Sequence, residues 1–283
     1  MSHGENLQGA HLSFVGCGVM AEAIIAGLLN NNLVEPQQVA GSHPRSERRE
    51  ELQKKYNIRM VESNPEAVTI ARDGSSSIVF LTVKPQRLGA ILSQLKGTLA
   101  DDQLVVSIVA GARIETLVNE LMHQSIVRAM PNTPAQVGEG MTVWTATAAV
   151  TEAQRDQIRT ILGALGRELH VEEEKMIDMA TALSATGPTY TFLVMEALID
   201  AGVHLGFSRH VAQELVLQTM LGSILFARES LKHPAELRNM VTSPGGTSAE
   251  AIYQMEKGGL RTVLSKAIWA AYQRAIALGR KKD

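Results

Sequence analysis

The hexapeptide Gly16-Cys17-Gly18-Val19-Met20-Ala21, set directly behind the apolar run His11-Leu12-Ser13-Phe14-Val15, constrains the fold of this chain more than any other feature. A glycine-x-glycine-x-x-alanine pattern between a strand and a helix opens a dinucleotide-binding β-α-β unit. Gly16 permits the tight turn, Gly18 lets the backbone approach a pyrophosphate, and Ala21 lets the helix pack close to the strand. The N–H groups at the helix start then face the anion. Val15, Gly16, Gly18, Val19 and Met20 are the first expected cofactor contacts.

The rest of the N-terminal half keeps the same rhythm. Short apolar runs at 11–15, 38–41, 58–61, 78–83, 104–109 and 126–130 predict strands, and apolar residues at helical spacing over 21–30, 46–56, 87–95 and 114–122 predict the helices between them. A later strand at 141–145 and a helix at 152–165 complete this part. Beyond Val171 strands disappear from the pattern, and helices are predicted over 174–183, 189–205, 208–229, 234–241, 249–256 and 260–278. Gly187-Pro188, Gly206, His233-Pro234 and Gly258-Gly259 supply the breaks. The expectation is an α/β chain: a Rossmann-type doubly wound sheet in 1–172, then an all-α domain in 173–283. Apolar faces on so many helices call for a second copy of the chain, hence a homo-oligomer.

The kind of dinucleotide is legible at the end of the second strand. An acidic residue there binds the ribose hydroxyls of NAD, and none occurs between Gln37 and Ser46. Ser42, His43 and Arg45 are instead placed to donate to a ribose 2′-phosphate, which predicts NADPH as the preferred cofactor with NADH possible. The crevice of an open α/β sheet lies outside the carboxyl ends of its strands, which adds Thr82, Val83, Lys84, Pro85, Val109 and Ala110 to the expected contacts. Asn64, before Pro65, either meets the adenosine side or caps the following helix.

Composition removes other classes. With 27 basic and 29 acidic residues the net charge is -2, which offers no electrostatic reason for nucleic acid or an anionic membrane. A single cysteine, Cys17, rules out an intrachain disulfide framework and cysteine-rich metal motifs, and the eight histidines lack ligand spacing, so no metal is expected. The polar first ten residues lack a secretory or transit pattern and no run of about eighteen apolar residues occurs, so the expected location is the cytoplasm. Glu172-Glu173-Glu174 reads as a solvated helix start.

A second anion site is written into the helical half. Ser243-Pro244-Gly245-Gly246-Thr247-Ser248 places two glycines and three hydroxyls at the start of a predicted helix, a turn suited to a carboxylate. It is also readable as an elaborate helix cap, which would leave a non-enzymatic dinucleotide sensor. No histidine and aspartate pair stands beside its serines, so a serine nucleophile is not expected.

Taken with Gly16 to Ala21, Val83-Lys84-Pro85, Met130-Pro131-Asn132-Thr133-Pro134 and Leu183-Ser184-Ala185-Thr186-Gly187-Pro188, this turn resembles the pyrroline-5-carboxylate reductases over nearly the whole chain. The resemblance implies NAD(P)H-dependent reduction of 1-pyrroline-5-carboxylate to L-proline, the last step of proline synthesis. It also implies a helical dimerisation domain and dimers assembled into a larger ring such as a decamer. Carried over by position, Ser243, Thr247 and the N–H groups of Gly245 to Thr247 would bind the substrate carboxylate, with Asn132 nearby. The hydroxyl of Ser248 would face the ring nitrogen as the catalytic group. The family usually has threonine here; serine keeps the hydroxyl and loses the methyl that restricts its rotamers. Reduction of a protonated imine asks the protein mainly for positioning, which suits a hydroxyl better than a strong acid.

Overall fold

The computed structural model describes residues 7–73 and 76–279. Among them an eight-stranded sheet forms from β1 (Ala10–Val15), β2 (Val39–Ser42), β3 (Arg59–Val61), β4 (Ser76–Leu81), β5 (Leu104–Ser107), β6 (Ile126–Met130), β7 (Gly140–Ala146) and β8 (Gly166–His170). The order is β3-β2-β1-β4-β5-β6-β7-β8. The first six strands run parallel; β7 is antiparallel to β6, and β8 is parallel to β7. The first six thus give the doubly wound order 3-2-1-4-5-6, whose direction of winding reverses between β1 and β4.

Both faces of the sheet are covered, and this is why its central strands read as nearly continuous apolar runs. On one face Leu12, Phe14, Phe80, Val106 and Trp144 pack with α1 (Val19–Asn30) and α6 (Glu152–Gly163) through Ile24, Leu28, Ile158 and Leu162. Phe14 and Phe80 are register partners and their rings stack at 4.9 Å. On the other face Val15, Val79, Leu81 and Val105 pack with Leu92 of α4 (Leu88–Leu95) and with Leu117 and Leu121 of α5 (Ile114–Leu121). Each such fully buried side chain contributes roughly 1.5–3 kcal/mol. By contrast α2 (Ser46–Tyr56) buries only Leu52, and the short α3 (Asn64–Ile70) buries Ala67 and Val68.

Glu174 does not belong to a solvated helix start, because Arg128 is buried in the middle of β6 and a buried guanidinium requires anionic partners. Arg128 Nη1 donates to Glu174 Oε1 at 2.7 Å and Nη2 to Asp178 Oδ1 at 2.6 Å, which fixes α7 (Lys175–Ala180) to the sheet. Glu174 Oε1 also accepts the N–H of Ile114 at 2.8 Å. A π-helical turn, Thr181–Ala185, follows α7; Thr186 closes it by donating its N–H to Thr181 O at 2.9 Å.

The chain divides into two compact units, one of residues 1–186 with 271–283 and one of 187–270. The first unit keeps α7 with the sheet, to which Arg128 binds it. The second holds α8 (Gly187–His204), α9 (Arg209–Ser230), α10 (Pro234–Met240), α11 (Thr247–Lys257) and the start of α12 (Leu260–Leu278). Within it α8 and α9 approach closely: a β-carbon on Gly202 would stand 2.9 Å from Ala212 Cβ. Their remaining faces are apolar and open, with Phe192, Leu193, Leu221, Ile224 and Phe226 all at least half exposed. Among the described residues no helix is long and apolar enough to cross a membrane.

Candidate cofactor and anion sites

Val15 and Leu81 are register partners at the switch point, and the loops that follow them meet. Gly16 has φ +90° and lies against Val83, where no β-carbon would fit. Its N–H reaches Ser42 O at 3.2 Å, and the N–H of Cys17 reaches the same oxygen at 2.9 Å, which pins the turn to β2. Thr82 holds the other side, its hydroxyl donating toward Val15 O (3.0 Å) and Gly16 O (2.9 Å). A β-carbon on Gly18 would meet only Gly16 O, at 4.0 Å, and no side chain caps α1, so the first N–H groups of the helix are left for a ligand. Val19 is exposed and Met20 half-buried at this helix start. Cys17 points inward, and burial pushes its thiol up to about 12, so it is an inert packing group.

Three arginines beyond β2 have separate surroundings. Arg49 braces the turn by donating to His43 O at 2.7 Å and Pro44 O at 3.0 Å. Arg48 is engaged with Glu22, Glu51 and Cys17 O. The Arg45 side chain is exposed and makes no ion pair among the described residues. Its backbone N–H donates to His43 Nδ1 at 3.2 Å, which leaves Nε2 as the protonated nitrogen of a neutral ring. Burial, reinforced by the charges of Arg45, Arg48 and Arg49, holds the His43 imidazole below its ordinary pKa.

Other expected contacts have more specific places. Ser42 is buried, and its hydroxyl donates to Asn64 Oδ1 at 2.7 Å, so it stiffens the loop instead of presenting a donor to solvent. Asn64 passes the link to Gln94 Oε1 through Nδ2 at 2.7 Å. It is the first residue of α3 while Ser63 caps that helix, so the capping alternative for Asn64 does not hold. Lys84 is exposed at the start of the 3-10 turn Pro85–Arg87. Val109 is buried with its N–H on Ser107 Oγ at 3.3 Å, and Ala110 is half-buried beside it.

The second site lies in the helical unit. Gly245 has φ +69°, a conformation that favours glycine, and a β-carbon on Gly246 would stand 2.4 Å from Ser243 Oγ. Gly246 N–H closes the turn on Ser243 O at 3.1 Å, and α11 begins at Thr247 without a side-chain cap. The turn therefore carries the hydroxyls of Ser243, Thr247 and Ser248 around an uncapped helix start, with Thr247 exposed and Ser248 half-buried. Asn132 belongs to the first unit, where its Oδ1 accepts the N–H of Met141 at 2.9 Å and its Nδ2 donates to Ser184 O at 3.3 Å. Its amide thereby ties the loop after β6 to the π-helical turn.

Sequence reasoning passed over Glu22. Its carboxylate, one turn into α1, accepts from Arg48 Nη2 (2.5 Å), Lys55 Nζ (2.8 Å) and Tyr56 Oη (2.9 Å). The available signal was a lone carboxylate on an otherwise apolar helix beside a highly charged one.

Sterically and chemically the first site fits a dinucleotide: a cradle only glycine can occupy, an open helix N-terminus and a free arginine at the end of β2. Residues 174–278 match the family model for pyrroline-5-carboxylate reductase dimerisation, and residues 11–111 match that for NADP oxidoreductase, coenzyme F420-dependent. The pyrroline-5-carboxylate reductase of a Synechocystis species is 40% identical over 270 residues, covering 95% of this chain and 98% of that protein. That of Pseudomonas aeruginosa is 40% identical over 271 residues, covering 95% and 97%. The crystal structure of the Plasmodium falciparum pyrroline carboxylate reductase with NADP bound superposes with a TM-score of 0.86 at 32% identity, covering 96% of this chain and 98% of that one. On these full-length similarities the chain belongs to the pyrroline-5-carboxylate reductase family.

Proposed function

We propose that this protein reduces 1-pyrroline-5-carboxylate to L-proline with NADPH, the final step of proline biosynthesis. The reading rests on one observation above others: a single chain carries both a glycine turn shaped for a pyrophosphate and an uncapped, hydroxyl-rich turn shaped for a carboxylate. The bound dinucleotide supplies the hydride that the imine carbon accepts. Val19 and Met20 offer its pyrophosphate their backbone N–H groups at the α1 N-terminus, while Gly16 and Gly18, whose own N–H groups are bonded to Ser42 O and Gly16 O, let the phosphate approach the turn. Arg45 takes the 2′-phosphate as a charge-assisted partner, His43 adds its Nε2–H, and the absence of an acid at the end of β2 removes repulsion. Val15, Thr82, Val83, Lys84, Pro85, Val109 and Ala110 form the loops along the rest of the cofactor. Ser42 and Asn64 serve by stiffening those loops.

Substrate chemistry falls to the second turn. Ser243, Thr247 and the N–H groups of Gly245 and Thr247 bind the ring carboxylate, the Gly246 N–H being spent on Ser243 O, and the helix start favours its negative charge. Ser248 places its hydroxyl against the ring nitrogen, orienting the imine and stabilising the amine as it forms. Such a group contributes about 10²-fold to 10⁴-fold where proton transfer is involved. Asn132 assists by fixing the loop after β6. The active species is a homodimer joined through α8 and α9, whose exposed apolar faces need a partner, and dimers assemble further into a ring. The cytoplasm is its place of action.

NADPH consumption with the imine tests the reading. Turnover with 1-pyrroline-5-carboxylate supports it, whereas no turnover with that substrate alongside reduction of a keto acid moves the chain to another reductase chemistry.

A further inference from the structure

Apolar contact holds α2 through Leu52 and the half-buried Tyr56, both beyond its first turn. Its sequence, Ser-Glu-Arg-Arg-Glu-Glu-Leu-Gln-Lys-Lys-Tyr, buries one residue, Leu52, yet its N-terminal flank carries Arg45. A shift of that flank by an ångström would take the guanidinium away from any phosphate, so another interaction must set its position.

Arg49 braces His43 and Pro44 from within α2, and the Glu22 carboxylate ties α2 itself to α1. Arg48, Lys55 and Tyr56, spread from the first to the last turn of α2, all converge on its two oxygens within 2.9 Å. Arg48 also directs Nε toward Cys17 O at 3.4 Å, inside the glycine turn, and Nη1 to Glu51 at 2.9 Å. Its guanidinium therefore touches α1, α2 and the pyrophosphate turn together. Burial would raise the Glu22 pKa, but hydrogen bonds from Lys55, Arg48 and Tyr56 outweigh it and hold the carboxyl at about 2. The group is an anion at any working pH, and its cationic partners shield the adjoining anion-binding helix end from its charge.

We infer that Glu22 and Arg48 are positioning residues for cofactor choice: their pair holds the start of α2 against α1 and so sets where Arg45 meets the 2′-phosphate. The inference rests on the NADPH reading above. It separates the arginines by task, with Arg45 touching the ligand and Arg48 acting through it.

Calorimetric titration of the intact protein with NADP⁺ and with NAD⁺, which lacks the 2′-phosphate, tests this without turnover. Wild type should prefer NADP⁺, and Arg45→Ala should abolish the preference. Arg48→Met and Glu22→Gln should each weaken NADP⁺ about tenfold, the effect of one charge-assisted hydrogen bond, and NAD⁺ by less than about twofold. Should Arg48→Met fail to fold, Glu22→Gln is read alone by the same criterion, while Arg48→Lys, which keeps a cation beside Glu22, should restore most of the preference. Equal weakening of both dinucleotides, or an unchanged preference, overturns the inference. Failure of wild type to bind either dinucleotide overturns the proposed function itself.

Discussion

A β-carbon on Gly16 would lie 2.4 Å from Val83 Cγ1, so the turn after β1 and the loop after β4 touch with no room for a side chain between them. This contact sits where the winding of the sheet reverses, and it leaves the N-terminus of α1 open for a phosphate. Gly16→Ala therefore meets two penalties, a clash and a φ of +90° that L-residues avoid. It should destabilise the protein by about 1–3 kcal/mol and abolish dinucleotide binding. Adding Val83→Ala should recover part of the stability and little of the affinity. Thermal denaturation and calorimetry check both effects.

Acid should release the Glu22 cluster in a defined window. The carboxyl titrates at about 2 in the folded chain against 4.5 for the free group, so the unfolded chain binds the extra proton between those values. Stability from this group is complete above pH 4.5 and is lost as pH falls toward 2. The loss stays below the full linkage value of about 3 kcal/mol, because solvent screens this partly exposed group. Denaturant titrations of wild type and Glu22→Gln should converge across this interval, and parallel curves would contradict the assignment.

On the proposed reading, in which the hydroxyl acts on the imine alone, Ser248→Ala should lower kcat by about 10²-fold while the Kd for NADPH stays within about twofold. Ser248→Thr should retain most of the activity. Steady-state kinetics beside direct binding separate these outcomes, and loss of NADPH affinity would remove Ser248 from the nitrogen.

The Arg128 cluster makes a stability prediction. Asp178→Ala leaves a buried guanidinium with one carboxylate and should cost about 3 kcal/mol or more. Chemical denaturation measures it, and a change below about 1 kcal/mol would mean that water replaces the lost partner.

Introducing charge on the exposed faces of α8 and α9, as in Leu193→Glu or Ile224→Glu, should separate the oligomer, since both side chains are more than half exposed in the single chain. Light scattering should report monomers; an unchanged mass would place the interface elsewhere.

Much of this was legible in the residues. The glycine turn was readable because only glycine tolerates a close approach at φ +90°, and β1 and β4 to β6 because strands buried on both faces must be apolar. β8 was missed for the converse reason: Gly166-Arg-Glu-Leu-His is an edge strand, alternates in burial and has no apolar run. The π-helical turn was read as part of a helix, since a change from i+4 to i+5 bonding leaves the local composition untouched. Ser42, Asn64 and Glu22 share another limit. Polar side chains near a ligand look alike in sequence whether they touch it or brace what does, and only hydrogen-bond partners separate the two. Arg128 offered a usable hint, because a charge inside Ile-Val-Arg-Ala-Met implies a buried anion elsewhere.

Isotope transfer reaches the central claim most directly. Incubation with 1-pyrroline-5-carboxylate and NADPH doubly deuterated at C4 of the nicotinamide should yield L-proline with one deuterium on the former imine carbon, read by mass spectrometry and NMR. Absence of proline, or proline without the label, would contradict reduction of this imine by hydride from the dinucleotide.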